Sequence, residues 1–346
     1  MRVLIVPYPR TWAIEGGHRT QQWQTAQALR RQGADVVIGE PSLANMVGFD
    51  VVHFFGDPRP LLVQGRPIGR FVVSPVYFPT WLELGPIPRM GGLRSLVAAQ
   101  TLGRARQLRH PFGLNRLKRE IKSRLAAIGE ADIIITNSNA EARLLTRDGP
   151  DIQSLIRVAH SGVDQRFFSG SSVQGRAMVH QLVGVSDYVL CVARVEPRKN
   201  QLSLCHAMRN MGLPLLLVGG VLPGNEPYLA ACRKVLPALL HLPHLNQEVL
   251  PHVYAAAKCH VLPSWYETTG LSTLEALAAG TPCVVGSGPC VLEYFEGYTE
   301  VASLSSISSL RAAITKAANG PRGDEKVHAA SFNWDRTARE LLKAYS

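Results

Sequence analysis

Short runs of apolar residues recur along the whole chain, each followed by a turn and an amphipathic segment. In the first half, such runs cover residues 2–7, 34–38, 49–55, 70–74, 131–136 and 156–159. In the second half, they cover residues 188–195, 215–218, 243–245, 259–262 and 283–285. Short apolar runs bounded by turn residues are typical of strands buried within a sheet. The pattern therefore predicts two successive series of strands.

Amphipathic segments between these runs predict helices at residues 20–31, from about residue 140, from about residue 201 and at residues 332–345. Alternating strands and helices are typical of α/β folds with doubly wound sheets. We therefore expect two Rossmann-like domains that face each other across a cleft, a favoured position for a ligand. The predicted domains span residues 1–165 and 166–330, and the terminal helix is expected to pack back on the first.

Length and composition agree with two globular domains, since 346 residues exceed what one core usually holds. No apolar run approaches the roughly 18 residues of a membrane-spanning helix, and the first apolar run is too short for a signal peptide. All six cysteines lie beyond residue 190 without paired C-x-x-C spacing. They are expected to be buried, reduced thiols of a cytoplasmic protein, with no metal site.

The net charge of +11 is concentrated in one segment, because residues 89–124 hold ten basic residues against one acid, Glu120. Such a segment suits contact with an anionic membrane surface or an acidic acceptor, and a peripheral position on the inner face of the plasma membrane. The alternative is a solvated basic face. Nucleic acid is disfavoured, because no aromatic platform or recognition motif accompanies the charge.

The most informative segment covers residues 259–285, where strand, loop, helix and strand follow one another as a βαβ unit. Two carboxylates, Glu267 and Glu275, lie in its loop and its helix with seven residues between them. Loops that follow the carboxyl ends of parallel strands are the usual ligand sites in such sheets. The segment is therefore a candidate site.

The start of this helix offers two interpretations. Ser272 precedes Glu275 by three residues, which fits a capping box, and the unpaired N–H groups of the first turn favour a phosphate. Alternatively, Glu275 only caps the helix and Glu267 is a solvated loop residue.

A second cluster follows the first predicted strand of the second half, where Arg194 and Lys199 lie in A-R-V-E-P-R-K-N. Two cations at the carboxyl end of a strand suit a diphosphate. Arg198 is an alternative second cation, and a plain surface charge cluster is the other interpretation. The chain has no G-x-G-x-x-G, no P-loop and no D-x-D, and the last absence argues against a metal-bridged nucleotide sugar.

Together, these motifs resemble those of the GT-B-fold, retaining glycosyltransferases of family 4, also called glycosyltransferase group 1. The resemblance covers nearly the full length and includes the Gly16-Gly17 loop, F-D-V-V-H, A-D-I-I-I-T-N-S, S-G-V-D, R-V-E-P-R-K-N and the closing F-N-W-D-R-T-A-R-E-L-L-K-A-Y helix. Its most specific part is the E-x7-E from Glu267 to Glu275 with its A-L-A-A-G-T-P-C-V-V continuation.

The resemblance implies a role for each matching residue. Arg194 and Lys199 would neutralise the diphosphate of the donor, Glu275 would bind the ribose hydroxyls, and Glu267 would contact the transferred sugar. The remaining implied donor contacts are backbone groups, at Gly17 and at the helix start formed by Gly270, Leu271 and Ser272.

The activity implied by the resemblance is transfer of a hexose, with retention, from a nucleoside diphosphate sugar. The acceptor would be a glycan, a lipid-linked or a lipopolysaccharide-type molecule, and neither metal nor cofactor would be needed. Other GT-B activities, such as nucleotide-sugar epimerisation or phosphorolysis, remain alternatives. So does a non-catalytic nucleotide-sugar-binding subunit of a glycan assembly complex, although the complete set of two cations and two carboxylates argues against it.

One departure from the family concerns the acceptor side. Many relatives carry a histidine after the fourth strand, but here the segment reads V-V-S-P-V-Y-F-P-T-W and the next histidine is His110. Pro75 or Tyr77 occupies the expected region. The loop before the helix also reads E-T-T-G instead of the commoner E-G-F-G. His53 and His160 lie near strand ends, where a structural role is expected.

Overall fold

The computed structural model describes residues 1–7, 16–40, 47–79, 113–321 and 323–346. The chain divides into two compact units. Described residues of the first lie within Met1–Gly85, Leu108–Gly162 and Phe332–Ser346, and those of the second within Val163–Ser331. Residues 89–112 of the basic segment, including His110, lie outside the described residues.

The described strands of the first unit form a six-stranded parallel sheet in the order β2-β1-β3-β4-β5-β6. Its winding direction reverses between β1 and β3, as in doubly wound folds. Apolar residues of β1, β3, β4 and β5 lie in its core, which explains why continuous apolar runs mark these strands. The strands are Arg2–Val6 (β1), Asp35–Ile38 (β2), Val51–Phe55 (β3), Arg70–Ser74 (β4), Ile133–Thr136 (β5) and Ile156–Val158 (β6).

The helices described in this unit are Gly17–Arg31 (α1), Arg59–Leu62 (α2), Gly113–Gly129 (α3), Asn139–Asp148 (α4) and the C-terminal helix Trp334–Tyr345. The C-terminal helix packs on α1. Its last residue, Tyr345, shares a hydrogen bond of 2.6 Å with Nδ1 of buried His53, whose Nε2 lies 2.8 Å from Ser74 Oγ. Burial lowers the pKa of His53 to about 3, so this ring is neutral and joins the helix to the sheet.

His160 also contacts the C-terminal helix, but through its backbone. Its carbonyl accepts a 2.6 Å hydrogen bond from the Thr337 hydroxyl, and its N–H donates to the Glu340 carboxylate at 3.2 Å. The contacts described for His53 and His160 are thus structural ones within the first unit.

Both candidate replacements for the family histidine are buried in the first unit. The main-chain N–H of Tyr77 donates to Glu141 Oε1 at 2.6 Å, and its hydroxyl donates to Asp148 Oδ2 at 2.7 Å. Tyr77 is therefore held against α4, and Pro75 carries no titratable group.

The second unit contains a six-stranded parallel sheet in the order β12-β11-β10-β7-β8-β9, with the reversal between β7 and β10. When these strands are numbered 1 to 6 from β7 and read from the β9 edge, their order is the Rossmann order 3-2-1-4-5-6. The predicted strand at residues 243–245 is wrong, because the strand ends at Leu242 and Pro243 has no N–H for a sheet ladder. The strands are Val189–Val192 (β7), Leu215–Val218 (β8), Leu240–Leu242 (β9), Cys259–Leu262 (β10), Cys283–Gly286 (β11) and Glu300–Ala302 (β12).

Eight helices are described in this unit: Ser172–Val183 (α5), Gln201–Met208 (α6), Glu226–Val235 (α7), Leu250–Ala256 (α8), Leu271–Ala278 (α9), Pro289–Phe295 (α10), Ile307–Asn319 (α11) and Glu325–Ala330 (α12). Within the described ranges, no helix is both long and apolar enough to cross a membrane. All six cysteines are buried and none forms a disulfide, as the sequence predicts.

A close contact between α5 and α8 depends on Gly175. A Cβ atom at this position would lie 1.9 Å from the carbonyl oxygen of His252 and 2.8 Å from the Ala256 side chain. Neither backbone nor a packed methyl group can move far, so only glycine allows α8 to lie this close to α5.

We expect Gly175→Ala to lower the free energy of unfolding by about 3 kcal/mol, because the new methyl group forces the two helices apart. Gly184→Ala, at the C-cap of the same helix, is the matched control. It has a positive φ of 78° with no atom within 4 Å of the added Cβ, so its cost is conformational, about 1 kcal/mol. Urea denaturation followed by fluorescence measures both, and equal destabilisation would contradict the steric argument.

Candidate functional site

The loop after β7 carries the predicted cations at the point where the sheet reverses direction. Arg194 lies two residues beyond β7, and Lys199 ends a short 3-10 turn, Pro197–Lys199. Asn200 then adopts a left-handed conformation with φ 57°, and α6 begins at Gln201. The Gln201 side chain donates a 2.8 Å hydrogen bond to the carbonyl of Arg194, which fixes the loop between strand and helix.

Lys199 forms a hydrogen-bonded ion pair with Glu267, which follows β10 on the other side of the reversal. Both side chains are largely buried, with exposed fractions of 13% and 12%. The structure thus brings together two residues that the sequence separates by 68 positions.

Arg198 joins the same two loops. Its guanidinium donates to Glu196 Oε1 at 2.6 Å and to the carbonyl of Tyr266 at 3.0 Å, and lies 3.5 Å from Glu267 Oε1. Its own carbonyl accepts a 2.9 Å hydrogen bond from the N–H of Trp265. Arg198 therefore acts as a clamp between the loops that follow β7 and β10.

The two cations determine the charge state of Glu267. Burial alone would raise the pKa of this carboxyl, but Lys199 and Arg198 outweigh burial and hold its pKa at about 2. Burial lowers the pKa of Lys199, and the negative charge of Glu267 opposes that shift. Glu267 is therefore a carboxylate at any physiological pH.

Arg194 is the most exposed of the three cations, with 26% of its side chain accessible against 21% for Arg198. Its nearest described carboxylate oxygen, on Glu196, is 3.6 Å away, whereas Arg198 contacts the same oxygen at 2.6 Å. Arg194 thus retains more capacity to bind a ligand than its neighbour.

Helix α9 starts at Leu271, directly after Gly270, which is the N-cap with a left-handed φ of 83°. The carbonyl of Gly270 accepts from the N–H of Thr273 at 2.8 Å, whereas the N–H groups of Leu271 and Ser272 precede the first helical acceptor. No side chain caps the helix, so the predicted capping box of Ser272 and Glu275 is wrong. Glycine takes the cap position, and Glu275 has a different partner.

That partner is Tyr254 on α8, whose hydroxyl donates a 2.8 Å hydrogen bond to Glu275 Oε2. Burial raises the pKa of Glu275 to about 7, while the bond from Tyr254 opposes the rise. Asp164 raises this pKa further, and Arg166 lowers it. The two predicted carboxyls therefore have different pKa values, about 2 for Glu267 and about 7 for Glu275.

Asp164 and Arg166 also line a pocket of about 490 Å³ in the second unit. They form an ion pair at 2.9 Å, and both interact electrostatically with Glu275. A volume of 300–1,000 Å³ is typical of small-molecule sites. The other residues that line the pocket are Ser169, Glu248, Pro251 and His252.

Buried His260 on β10 lies between the two parts of the site, with its ring edge-on to Tyr254 at 5.5 Å. Burial and the positive charge of Lys199 lower its pKa to about 3, so it is neutral. The sequence predicted neither Tyr254 nor His260 as site residues, because each lies in an apolar segment without a motif.

Gly17, the remaining predicted residue, belongs to the first unit, where it begins α1. Among the described residues, no group of three histidine, cysteine or acidic side chains has a geometry suited to a metal ion.

Comparison with known proteins gives a family match over residues 179–334, to the glycosyl transferases group 1. D-inositol 3-phosphate glycosyltransferase from Mycolicibacterium smegmatis is 30% identical over 239 residues, which are 63% of this chain and 54% of that protein. The protein of the same name from Mycobacterium avium is 29% identical over 234 residues, covering 63% and 55%. The chain spans about half the length of the curated relatives it matches.

Solved structures with a similar fold cover the whole chain. Sucrose-phosphate synthase from Thermosynechococcus elongatus has a TM-score of 0.73 at 18% identity, and the match covers 100% of this chain and 98% of the synthase chain. Anabaena Alr3699/HepE in complex with UDP-glucose has a TM-score of 0.73 at 16% identity, with 99% of each chain covered. The two parallel sheets and these similar structures confirm the predicted GT-B fold, with two Rossmann-like α/β domains. Residues 179–334 of the chain match the family of the glycosyl transferases group 1.

Proposed function

We propose that this protein transfers a hexose from a nucleoside diphosphate sugar to a glycan, lipid-linked or lipopolysaccharide-type acceptor, with retention at the anomeric carbon. The observation that carries the proposal is the arrangement at the carboxyl edge of the second sheet. There, Arg194 and the Lys199–Glu267 pair follow β7 and β10, and α9 begins with unpaired N–H groups. Cations and a helix N-terminus together suit a diphosphate.

The names of similar proteins support the same chemistry. The curated relatives are called glycosyltransferases, and the Anabaena protein of similar fold was solved with UDP-glucose. The second unit of this chain carries the family match and the candidate donor site.

In the proposed complex, Arg194 and Lys199 contact the diphosphate, and the amides of Leu271 and Ser272, after Gly270, bind the distal phosphate. Positive charge at these positions stabilises the charge that grows on the leaving nucleoside diphosphate. Because these cations take the electrostatic role of a metal ion, the proposed reaction needs neither metal nor cofactor.

Glu275 accepts hydrogen bonds from the ribose hydroxyls in this proposal, and Glu267 contacts the transferred sugar. The pocket lined by Asp164 and Arg166, both of which act electrostatically on Glu275, offers space for the nucleoside. Gly17, in the first unit, lets the backbone approach the donor.

The proposed reaction breaks the bond between the anomeric carbon and the phosphate oxygen. The acceptor hydroxyl oxygen forms the new bond on the same face, and its proton goes to the departing phosphate oxygen. The products are the glycosylated acceptor and a free nucleoside diphosphate, so release of the diphosphate depends on the acceptor. Epimerisation and phosphorolysis do not show this dependence.

We propose that residues 89–124 hold the protein against an anionic membrane surface, which would bring it to a lipid-linked acceptor at the cytoplasmic face. The described part of this segment lies on α3, where Arg116, Lys118, Arg119 and Lys122 are exposed. Buried cysteines that form no disulfide suit the reducing cytoplasm.

Activity is the first test. A thermal-shift screen against UDP-, GDP-, ADP- and dTDP-sugars selects the donor, and acceptor-dependent release of the nucleoside diphosphate measures turnover. We expect Arg194→Ala to lower kcat/KM at least about 100-fold, because a charge that stabilises the leaving group is lost. Arg233→Ala, which removes an exposed arginine on α7, is the matched control and should leave turnover unchanged. Full activity of Arg194→Ala would refute the site assignment.

The pH dependence of donor binding tests Glu275. Since the pKa of Glu275 is about 7 and that of Glu267 is about 2, Glu275 is the one of these two carboxyls that changes charge between pH 6 and pH 8. We expect affinity for an intact nucleoside diphosphate sugar, whose diphosphate does not titrate here, to rise about tenfold across this range. Calorimetry measures the affinity, and Glu275→Gln should remove the dependence.

Stability should change in the opposite direction. The pKa of Glu275 lies above the ordinary value of 4.5, so the folded chain loses stability as the pH rises from about 4.5 to 7. Glu275→Gln should therefore unfold at a higher temperature than the wild type at pH 8, with little difference at pH 4.5. The same pH dependence of unfolding in both proteins would contradict the assignment of this pKa.

Vesicle flotation tests the membrane proposal. We expect binding to vesicles that contain anionic phospholipid and loss of binding at high salt or on pure phosphatidylcholine. Replacing Arg116, Lys118, Arg119 and Lys122 by glutamine should reduce binding at least about tenfold, while Arg233→Gln with Lys234→Gln should not. Binding that depends on neither lipid charge nor salt concentration would count against the proposal.

A further inference from the structure

Tyr254 on α8 is bonded at two points to the segment that carries Glu275. Its hydroxyl donates to Glu275 Oε2 at 2.8 Å, and its carbonyl accepts a 2.6 Å hydrogen bond from the Thr281 hydroxyl, just beyond α9. Both bonds join α8 to the single segment that includes α9. The position of the Glu275 carboxyl is therefore tied to α8 as well as to its own helix.

The ring of Tyr254 is fully buried and has little freedom to rotate. Phe167 lies edge-on at 5.9 Å, and His260 at 5.5 Å. A tyrosine held by rings directs its hydroxyl to one point, and here that point is Oε2 of Glu275. An ionised carboxylate only accepts hydrogen bonds, so the proton of the bond belongs to Tyr254.

This single bond leaves the second carboxylate oxygen of Glu275 available for another donor. A carboxylate fixed through one oxygen presents the other in a defined direction, which is what binding of a ribose hydroxyl requires. The hydrogen bond also favours the charged form of Glu275, against the burial that disfavours it.

We propose that Tyr254 is a positioning residue for the donor site, which holds the Glu275 carboxylate in the orientation and charge state that bind the nucleoside. The proposal rests on the proposed role of Glu275 in donor binding. Tyr254 itself does not contact the donor and acts through Glu275.

The test compares Tyr254→Phe with the wild type in acceptor-dependent transfer. The variant keeps the ring contacts and the carbonyl bond to Thr281 and loses only the hydroxyl. We expect KM for the donor to rise about 5- to 20-fold, with kcat and KM for the acceptor within about twofold. A general loss of structure would instead lower kcat and the unfolding temperature and raise the KM for the acceptor as well as that for the donor.

The pH profile gives a second readout that a merely structural hydroxyl would not change. Besides Tyr254, the groups that act electrostatically on Glu275 are Asp164 and Arg166, and both remain in the variant. Loss of the donated hydrogen bond raises the pKa of Glu275, so the acid limb of kcat/KM for the donor should move to higher pH.

Tyr188→Phe is the matched control. Tyr188 is also fully buried in the second unit, and its hydroxyl donates a 2.7 Å hydrogen bond to the carbonyl of Val253 instead of to Glu275. This variant should keep the donor KM and the acid limb of the wild type, even if it unfolds at a lower temperature.

Glu275→Gln separates the failure of this inference from the failure of the proposed function. If Glu275→Gln weakens donor binding but Tyr254→Phe does not, the inference is overturned and the proposed function stands. If Glu275→Gln leaves the donor KM unchanged, both are overturned. If both variants raise the donor KM and the double variant is no worse than Glu275→Gln, the inference is supported.

A second approach is available if Tyr254→Phe does not fold. Protein grown with 3-fluorotyrosine carries more acidic hydroxyls, which donate more strongly and should move the acid limb of the wild type to lower pH. The same labelling in Glu275→Gln should have no such effect. An acid limb that is identical in labelled and unlabelled wild type would overturn the inference.

Discussion

The buried ion pair between Lys199 and Glu267 is the interaction on which the candidate site depends. It joins the loops after β7 and β10, which are adjacent strands at the reversal of the sheet. Removing one member of such a pair leaves an uncompensated buried charge, which commonly costs 3–5 kcal/mol. Arg198 adds a further charge and bonds to the same loops. The residues proposed to contact phosphate and sugar therefore also maintain the local fold, whereas the more exposed Arg194 is less involved in this network.

Much of the fold was predictable because strands buried in parallel sheets leave a simple signal. The bounds predicted for β4, β8 and β10 agree with the structure, since these strands are continuous apolar runs inside a sheet. Edge strands leave a weaker signal. β9 was placed three residues too late, and β12 was not predicted, because both are short and β9 is only half-buried. An edge strand has only one neighbouring strand and is less buried, so it needs fewer apolar residues and its sequence is less distinctive.

The start of α9 shows where local patterns fail. Ser272 and Glu275 have the spacing of a capping box, yet Gly270 occupies the N-cap and Glu275 bonds to Tyr254 on another helix. The hydrogen bond from Tyr254 and the burial of Glu275 determine where this carboxyl lies. Both depend on residues that are distant in sequence, so a local pattern does not reveal them. The ion pair between Lys199 and Glu267 could not be predicted either, although their motifs had marked both residues as candidates. Sequence patterns identified which residues to consider, and the topology determined which of them meet.

The two carboxylates of the E-x7-E motif lie in different electrostatic environments. Glu267 lies against two cations, which keep it ionised, whereas Glu275 lies in a less compensated, buried position that raises its pKa to about 7. Pairs of acids whose environments separate their pKa values are typical of sites that assign a different task to each. In the proposed reaction, Glu267 beside the sugar then keeps its negative charge near neutral pH. Of the two carboxyls, Glu275 is then the one that makes donor binding sensitive to pH, and its charge depends on Tyr254, Asp164 and Arg166.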